Sequence, residues 1–315
     1  MIVALLAVAI VGSRVATGPS GSAGRDAAVA RAVLWDGQAR NALGPLARVL
    51  PKVANDVGRW RAGQLLATEL RPSLSDASTV FAAAAMAVDQ LPTSPAGEIV
   101  NRLYRSSVAL DQEWMALTMT ALDMPPGPLA QQVVLAASRV RELGDRIFDR
   151  GRAPLELLLP SSSQPGVNIV LPAEVPDWVA EGLAAGPPLD AVPPPPSGRP
   201  SVRPAHRPEQ PRARWEEVVA TSGAPSVNDL PASLAAPDAA RLADLSHRWL
   251  VALDRMRSAP DPKGDREGSE RLYLQWLVAA ESARVGQAAV MASGGAGSRL
   301  LGSARHLARI AHDVA

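Results

Sequence analysis

Four histidines, at positions 206, 247, 306 and 312, are the only imidazoles in this 315-residue chain, and no cysteine accompanies them. A side-chain metal site needs several ligands converging on one point. His306 and His312 are six residues apart, which on a helix turns them about 240° from one another, so they cannot share an ion. His206 stands in a proline-rich stretch. His247 falls on the polar side of a helical pattern near Asp244, where an exposed histidine needs no special role. Without cysteine there are no disulfides, thiolate metal sites, cysteine nucleophiles or lipidated N-terminal cysteine, and either redox compartment is acceptable. No HExxH, EF-hand loop or G-x-S-x-G elbow occurs. Carboxylates are plentiful, but an acid–base pair depends on a separation in space that sequence spacing does not supply.

Two glycine-bearing stretches resemble phosphate loops only in part. Gly297 to Ser303, GSRLLGS, has two glycines and a serine, but it lacks the phosphate-binding lysine and follows a helical pattern instead of a strand. Gly295-Ala296-Gly297 fails as a dinucleotide fingerprint because Leu300 stands where the third glycine belongs. Both read as a hinge between helices. No catalytic residue, cofactor or metal is assigned. The residues with most potential for recognition are Trp35, Trp60 and Trp114, because an indole in a helical bundle often borders a cavity or an interface; the competing reading is ordinary core packing.

These residues sit in a chain built for helices. Hydrophobic residues make up 47% of it but aromatic ones only 3%, so Ala, Leu and Val must fill the core. Lysine occurs only at 52 and 263, and arginine supplies the remaining basic charge, a bias expected of GC-rich codons. A formal net charge of +1 gives no whole-molecule field to draw in nucleic acid.

The first helical region, 25–160, divides by periodicity and punctuation. Helices are expected over Arg25–Leu43, ended by Gly44-Pro45, and from Pro45 to about Leu70 with a kink at Pro51, ended by Arg71-Pro72. A third is expected over Asp76–Leu91 with Ser75 as N-cap. The fourth has Ser94 as cap, Pro95 in the first position, and one stripe through Ile99, Leu103, Leu110, Trp114, Leu117, Ala121 and Met124, with Ser106 filling its gap. The fifth runs Pro128–Arg150 with Val133, Ala136, Val140, Leu143 and Ile147 as its stripe and Gly151 as its stop. Its opposite face carries Arg141, Glu142, Asp145, Arg146, Asp149 and Arg150, which reads as a solvated surface rather than a charged docking face.

Residues 161–185 hold an extended run, Val167–Leu171, and a short helix over Pro176–Leu183. Residues 186–212 form a Pro/Arg-rich linker with four consecutive prolines at 193–196 and Arg-Pro recurring at 199, 203 and 207. Five arginines against Glu209 give Ser197–Arg214 a charge of +4. The four-residue Arg-Pro period does not match the three-residue turn of polyproline II, and no aromatics interleave, so neither a proline-rich ligand nor a single-strand stacking platform is indicated. Beyond it, 213–315 holds a short helix near Arg214–Ala220, then Asp238–Arg257 with Leu242, Leu245, Trp249, Leu253 and Met256 inward. A helix over 265–292 with Leu272, Trp276, Ala279, Ala283 and Val290 inward follows, then a break at Gly294-Gly295 and a final helix from Ser298. The fold class is all-α: an antiparallel bundle of four to five helices plus a smaller C-terminal helical region joined by the linker.

The segment 1–24 stands apart. Met1–Gly12 contains no polar side chain but would span only about 18 Å as a helix, against a hydrocarbon core of roughly 30 Å. It reads as a signal-peptide core or a membrane anchor, with Gly21-Ser22-Ala23 as small residues for a signal peptidase. No basic residue precedes it, and Arg14, Arg25 and Arg31 all follow, which for an uncleaved anchor would place the body in the cytoplasm. The expectation is therefore an exported or membrane-tethered helical protein of the cell envelope, with a cytoplasm-facing anchor as the alternative. Its role is structural or interaction-based, with the membrane and a protein partner as contacts and no nucleic acid. A ligand-sensing bundle is the second reading, and an enzyme with an unrecognised site the third.

Overall fold

A computed structural model describes residues 19–159, 169, 215–258 and 266–314. Met1–Gly12, the short helix expected over Pro176–Leu183 and the linker 186–212 lie outside the described residues, as does the run Val167–Leu171 except Ile169. Among the described residues there are nine α-helices and no strand. The first four are α1 (Pro19–Arg61), α2 (Ala67–Asp89), α3 (Glu98–Asp123) and α4 (Pro128–Glu156). The others are α5 (Trp215–Thr221), α6 (Leu230–Ala235), α7 (Ala239–Ser258), α8 (Arg266–Met291) and α9 (Gly295–Val314). The all-α class and the bundle with a smaller C-terminal helical part hold.

Several predicted breaks do not occur. Gly44-Pro45 does not end a helix: α1 continues through both Pro45 and Pro51 for 43 residues. Both prolines are exposed, so each missing backbone donor frees a carbonyl toward water. Trp35, Ala39, Leu43, Leu46, Leu50, Val53 and Val57 meanwhile form one buried stripe through the whole length. The real break is at Gly63, whose φ of +71° suits a residue without a Cβ. Helix α2 starts at Ala67, well before Ser75, and the Glu69 carboxylate accepts a hydrogen bond from the Leu66 backbone N–H at 2.9 Å. Ser94 does not cap α3 directly. It forms a turn just before it, its backbone N–H donating to the Asn101 side chain at 2.7 Å.

Nor does Gly151 stop α4. A Cβ there would lie 3.0 Å from the Tyr104 ring and 3.1 Å from Leu103 Cβ, so the glycine permits close approach of α3 inside a continuing helix. In the C-terminal part, α7, α8 and α9 fall where expected to within three residues. The turn at Val227–Asp229 and α6 were not anticipated. Val290, expected inward, is exposed, and Ile99 is only half-buried.

Helices α3 and α4 form the central pair. Helix α2 packs on α3 with α1 beyond it, while α9 packs on α3 and α8 on α4, so the C-terminal helices close over the first four. Sixteen of the 26 residues of α3 are buried, which makes it an interior helix with more than one covered side. The buried apolar residues join in one continuous cluster from Trp35 to Val314. Each fully buried Leu or Phe in it contributes about 1.5–3 kcal/mol.

Candidate functional site

Helices α1–α4 place the three candidate tryptophans in different settings. Trp35 is buried, donates its indole N–H to the Pro92 carbonyl at 2.8 Å, and meets Tyr104 edge-on with ring centroids 5.4 Å apart. Trp114 is buried against Phe81, with the Arg141 guanidinium 5.9 Å from its ring centroid. Trp60, near the end of α1, is half-buried. It forms one wall of an apolar groove of about 560 Å³, with Leu122 and Met124 at the end of α3 and Ala130, Val134 and Leu135 in the first turns of α4. Arg61 and Gln131 supply its polar edge, and Arg61 donates to the Ser138 hydroxyl at 3.1 Å. Leu135 is 41% exposed there, and Leu66, in the turn leading to α2, is 65% exposed. The three indoles therefore do not converge: Trp35 and Trp114 are enclosed in the core, and Trp60 borders the groove.

The polar face of α4 is only in part the solvated surface its sequence suggests: Arg146 and Asp149 are exposed. Arg141, Glu142 and Asp145 are buried. Arg141 donates to Asp111 of α3 at 2.7 Å and to the Ile169 carbonyl at 2.6 Å, and pairs with Asp145 at 2.7 Å. The Gly144 position lets α3 come this close, since a Cβ there would stand 3.0 Å from an Asp111 oxygen. Full burial pushes the Asp111 carboxyl up to about 6, even though Arg141 draws it down. Further along the face, Arg139 lies 3.8 Å from Glu281 of α8 and Arg150 lies 2.7 Å from Glu270 of the same helix. Glu281 has no exposed side-chain surface and sits 3.7 Å from Arg284 as well. Burial lowers the Arg284 guanidinium from its usual value, against the pull of Glu281.

Periodicity could not reveal this seam. A polar helical face looks alike whether water or another charged helix covers it. The one signal in sequence was Glu281, which interrupts the apolar run from Trp276 to Ala280.

Burial also raises the Asp149 carboxyl, partly offset by Arg152. It borders a surface hollow between α4 and α8, about 12 Å of helix beyond Arg141, so it does not meet Asp111. The glycine stretch GSRLLGS lies in the first turns of α9 as regular helix, so the backbone donors beyond its first turn are engaged by the helix itself. His306 Nδ1 lies 2.6 Å from a Glu113 oxygen, linking α9 to α3. His247 is half-buried, contrary to the exposed position expected, and its Nδ1 has no partner. His312 is exposed. Among the described residues no three His, Asp or Glu side chains group as metal ligands, and no helix is long and apolar enough to cross a membrane. The chain matches no protein family, no curated protein and no solved structure.

Proposed function

We propose that this protein is an interaction module, exported or membrane-tethered through its N-terminal segment, that receives an apolar segment of a protein partner in the Trp60 groove. The groove carries this reading. It is an open apolar concavity at a helix–helix corner, with the exposed Leu135 side chain in its wall. Its dimensions suit two or three large side chains from one face of an amphipathic helix, the spacing by which helices are read in grooves. Trp60 supplies a rigid anchor with little rotamer entropy to lose, and Arg61 and Gln131 offer hydrogen bonds at the edge. Tethering draws on the apolar Met1–Gly12 run.

The test is site-specific photo-crosslinking in the native cell, with the probe at Gln131 in the groove and a control probe at the exposed Thr79 on α2. A discrete adduct from position 131, absent from 79 and lost in Leu135→Arg, is the expected result. If position 131 gives no adduct, or one that survives Leu135→Arg, the groove is not the docking site. Fractionation with protease treatment of intact cells, read with the N-terminal sequence of the mature chain, tests the tether separately.

A further inference from the structure

A second concavity, remote from the Trp60 groove, lies where the end of α2, the first half of α3 and the last turns of α9 meet. It encloses about 440 Å³, within the range of small-molecule sites, and its lining is polar. Ser106, the residue that interrupts the apolar stripe of α3, opens onto it. Ser106 is buried and has no hydrogen-bond partner among the described residues.

Its charges are unevenly spent. Arg105 is neutralised by Asp89 at 3.1 Å. Arg102 is half-buried, with its Nε shielded from water and without an acceptor. Neither Arg102 nor Arg309 has an ion pair or hydrogen bond among the described residues. Glu98 and Asp313 stand one helical turn from Arg102 and Arg309, both exposed at the cleft edge, and neither closes an ion pair with its neighbour. Two unpaired cations thus stand in a cleft edged by carboxylates, and those carboxylates disfavour a phosphate dianion or a longer polyanion relative to a monoanion.

The fourth element is His306. Its Nδ1 is engaged by Glu113, a buried carboxylate, and this fixes the orientation of the ring. Its Nε2 has no partner among the described residues. A polar ring nitrogen in a cleft that also holds two arginines suits a ligand that brings both an anionic end and a hydroxyl. We propose that this cleft binds a small hydroxycarboxylate, its carboxylate on Arg102 and Arg309 and a hydroxyl hydrogen-bonded to His306 Nε2. Gln112 and the Ser106 hydroxyl are the remaining polar groups for a polyhydroxylated chain. This site is independent of the Trp60 groove and does not rest on it.

Calorimetric titration of the full chain at low ionic strength, with gluconate, hexanoate and glycerol 3-phosphate as probes, tests the proposal. Gluconate is expected to bind saturably, at least fivefold more tightly than hexanoate, which lacks hydroxyls, and more tightly than glycerol 3-phosphate. Arg309→Gln, an exposed change that leaves the core intact, is expected to weaken gluconate at least tenfold, as is Arg102→Gln. Arg48→Gln on α1 should leave it unchanged. His306→Gln is expected to weaken gluconate while leaving hexanoate unaffected. Absence of saturable gluconate binding, or full affinity in both arginine variants, overturns the site. Tighter binding of glycerol 3-phosphate, or equal affinity for hexanoate, overturns the ligand class.

Discussion

Arg139 of α4 and Glu281 of α8 face each other at 3.8 Å across the seam where the C-terminal helices close on the first four, and the glutamate is wholly buried. Its charge is set against those of Arg139 and Arg284, at 3.8 and 3.7 Å. Removing it breaks both ion pairs inside the closed seam. Glu281→Gln is therefore expected to destabilise the protein by about 3–5 kcal/mol. Urea unfolding followed by circular dichroism measures this. A loss below about 1 kcal/mol would mean that water reaches the seam.

The raised Asp111 carboxyl has a defined signature in pH. Its folded value of about 6 lies above its ordinary 3.8, so between those limits the unfolded chain has already released the proton that the folded protein retains. Stability from this group is complete below about pH 4 and is lost as pH rises through about 6, an effect on the order of 3 kcal/mol. Asp111→Asn removes the titration. The stability difference between wild type and Asp111→Asn should fall across that window and stay flat above it, as read from urea midpoints at several pH values.

Two glycine-to-alanine changes should have opposite signs. In a helix interior alanine is favoured over glycine by about 0.5–1 kcal/mol. At Gly58 of α1 a Cβ would meet nothing within 4 Å, so Gly58→Ala should stabilise by that amount. At Gly151 the same Cβ meets the Tyr104 ring at 3.0 Å, and the overpacking cost of about 1–3 kcal/mol outweighs the helix gain. Gly151→Ala should thus lower the thermal midpoint while Gly58→Ala raises it.

The tryptophans should separate by truncation. Trp114→Ala empties a buried site and is expected to cost about 3–5 kcal/mol. Trp60→Ala removes a half-buried wall of an open groove and should cost at most about half as much. Comparable losses at the two positions would show that Trp60 is a core residue and would remove it from any recognition role.

Apolar spacing predicted the parts of this fold that spacing controls. The stripe of α4 through Val133, Val140 and Ile147 is buried throughout, as are Leu242, Trp249 and Leu253 on α7. Punctuation misled where packing overrides it. Pro45 and Pro51 sit on an exposed side of α1, and Gly151 serves a helix crossing, so local rules for stops did not apply. The Trp60 groove was visible in part, because a tryptophan near a helix end is a fair sign of an edge, yet Trp35 and Trp114 carried the same sign and are enclosed. The His306–Glu113 contact was beyond sequence reading: its partners are 193 positions apart, and no local pattern joins them.

That separation also bears on the order in which the chain matures. Helix α4 is complete by Glu156, whereas Glu270 and Glu281, which meet its arginines, come more than a hundred residues later. At 5–20 residues per second, roughly six to twenty-five seconds of synthesis pass before α8 can reach α4. Throughout that interval Arg139 and Arg150 stand without the two carboxylates they meet in the finished protein. The unfinished seam thus carries cationic groups among its apolar residues, and the arrival of Glu281 and Glu270 turns them into ion pairs that fix where α8 lies along α4.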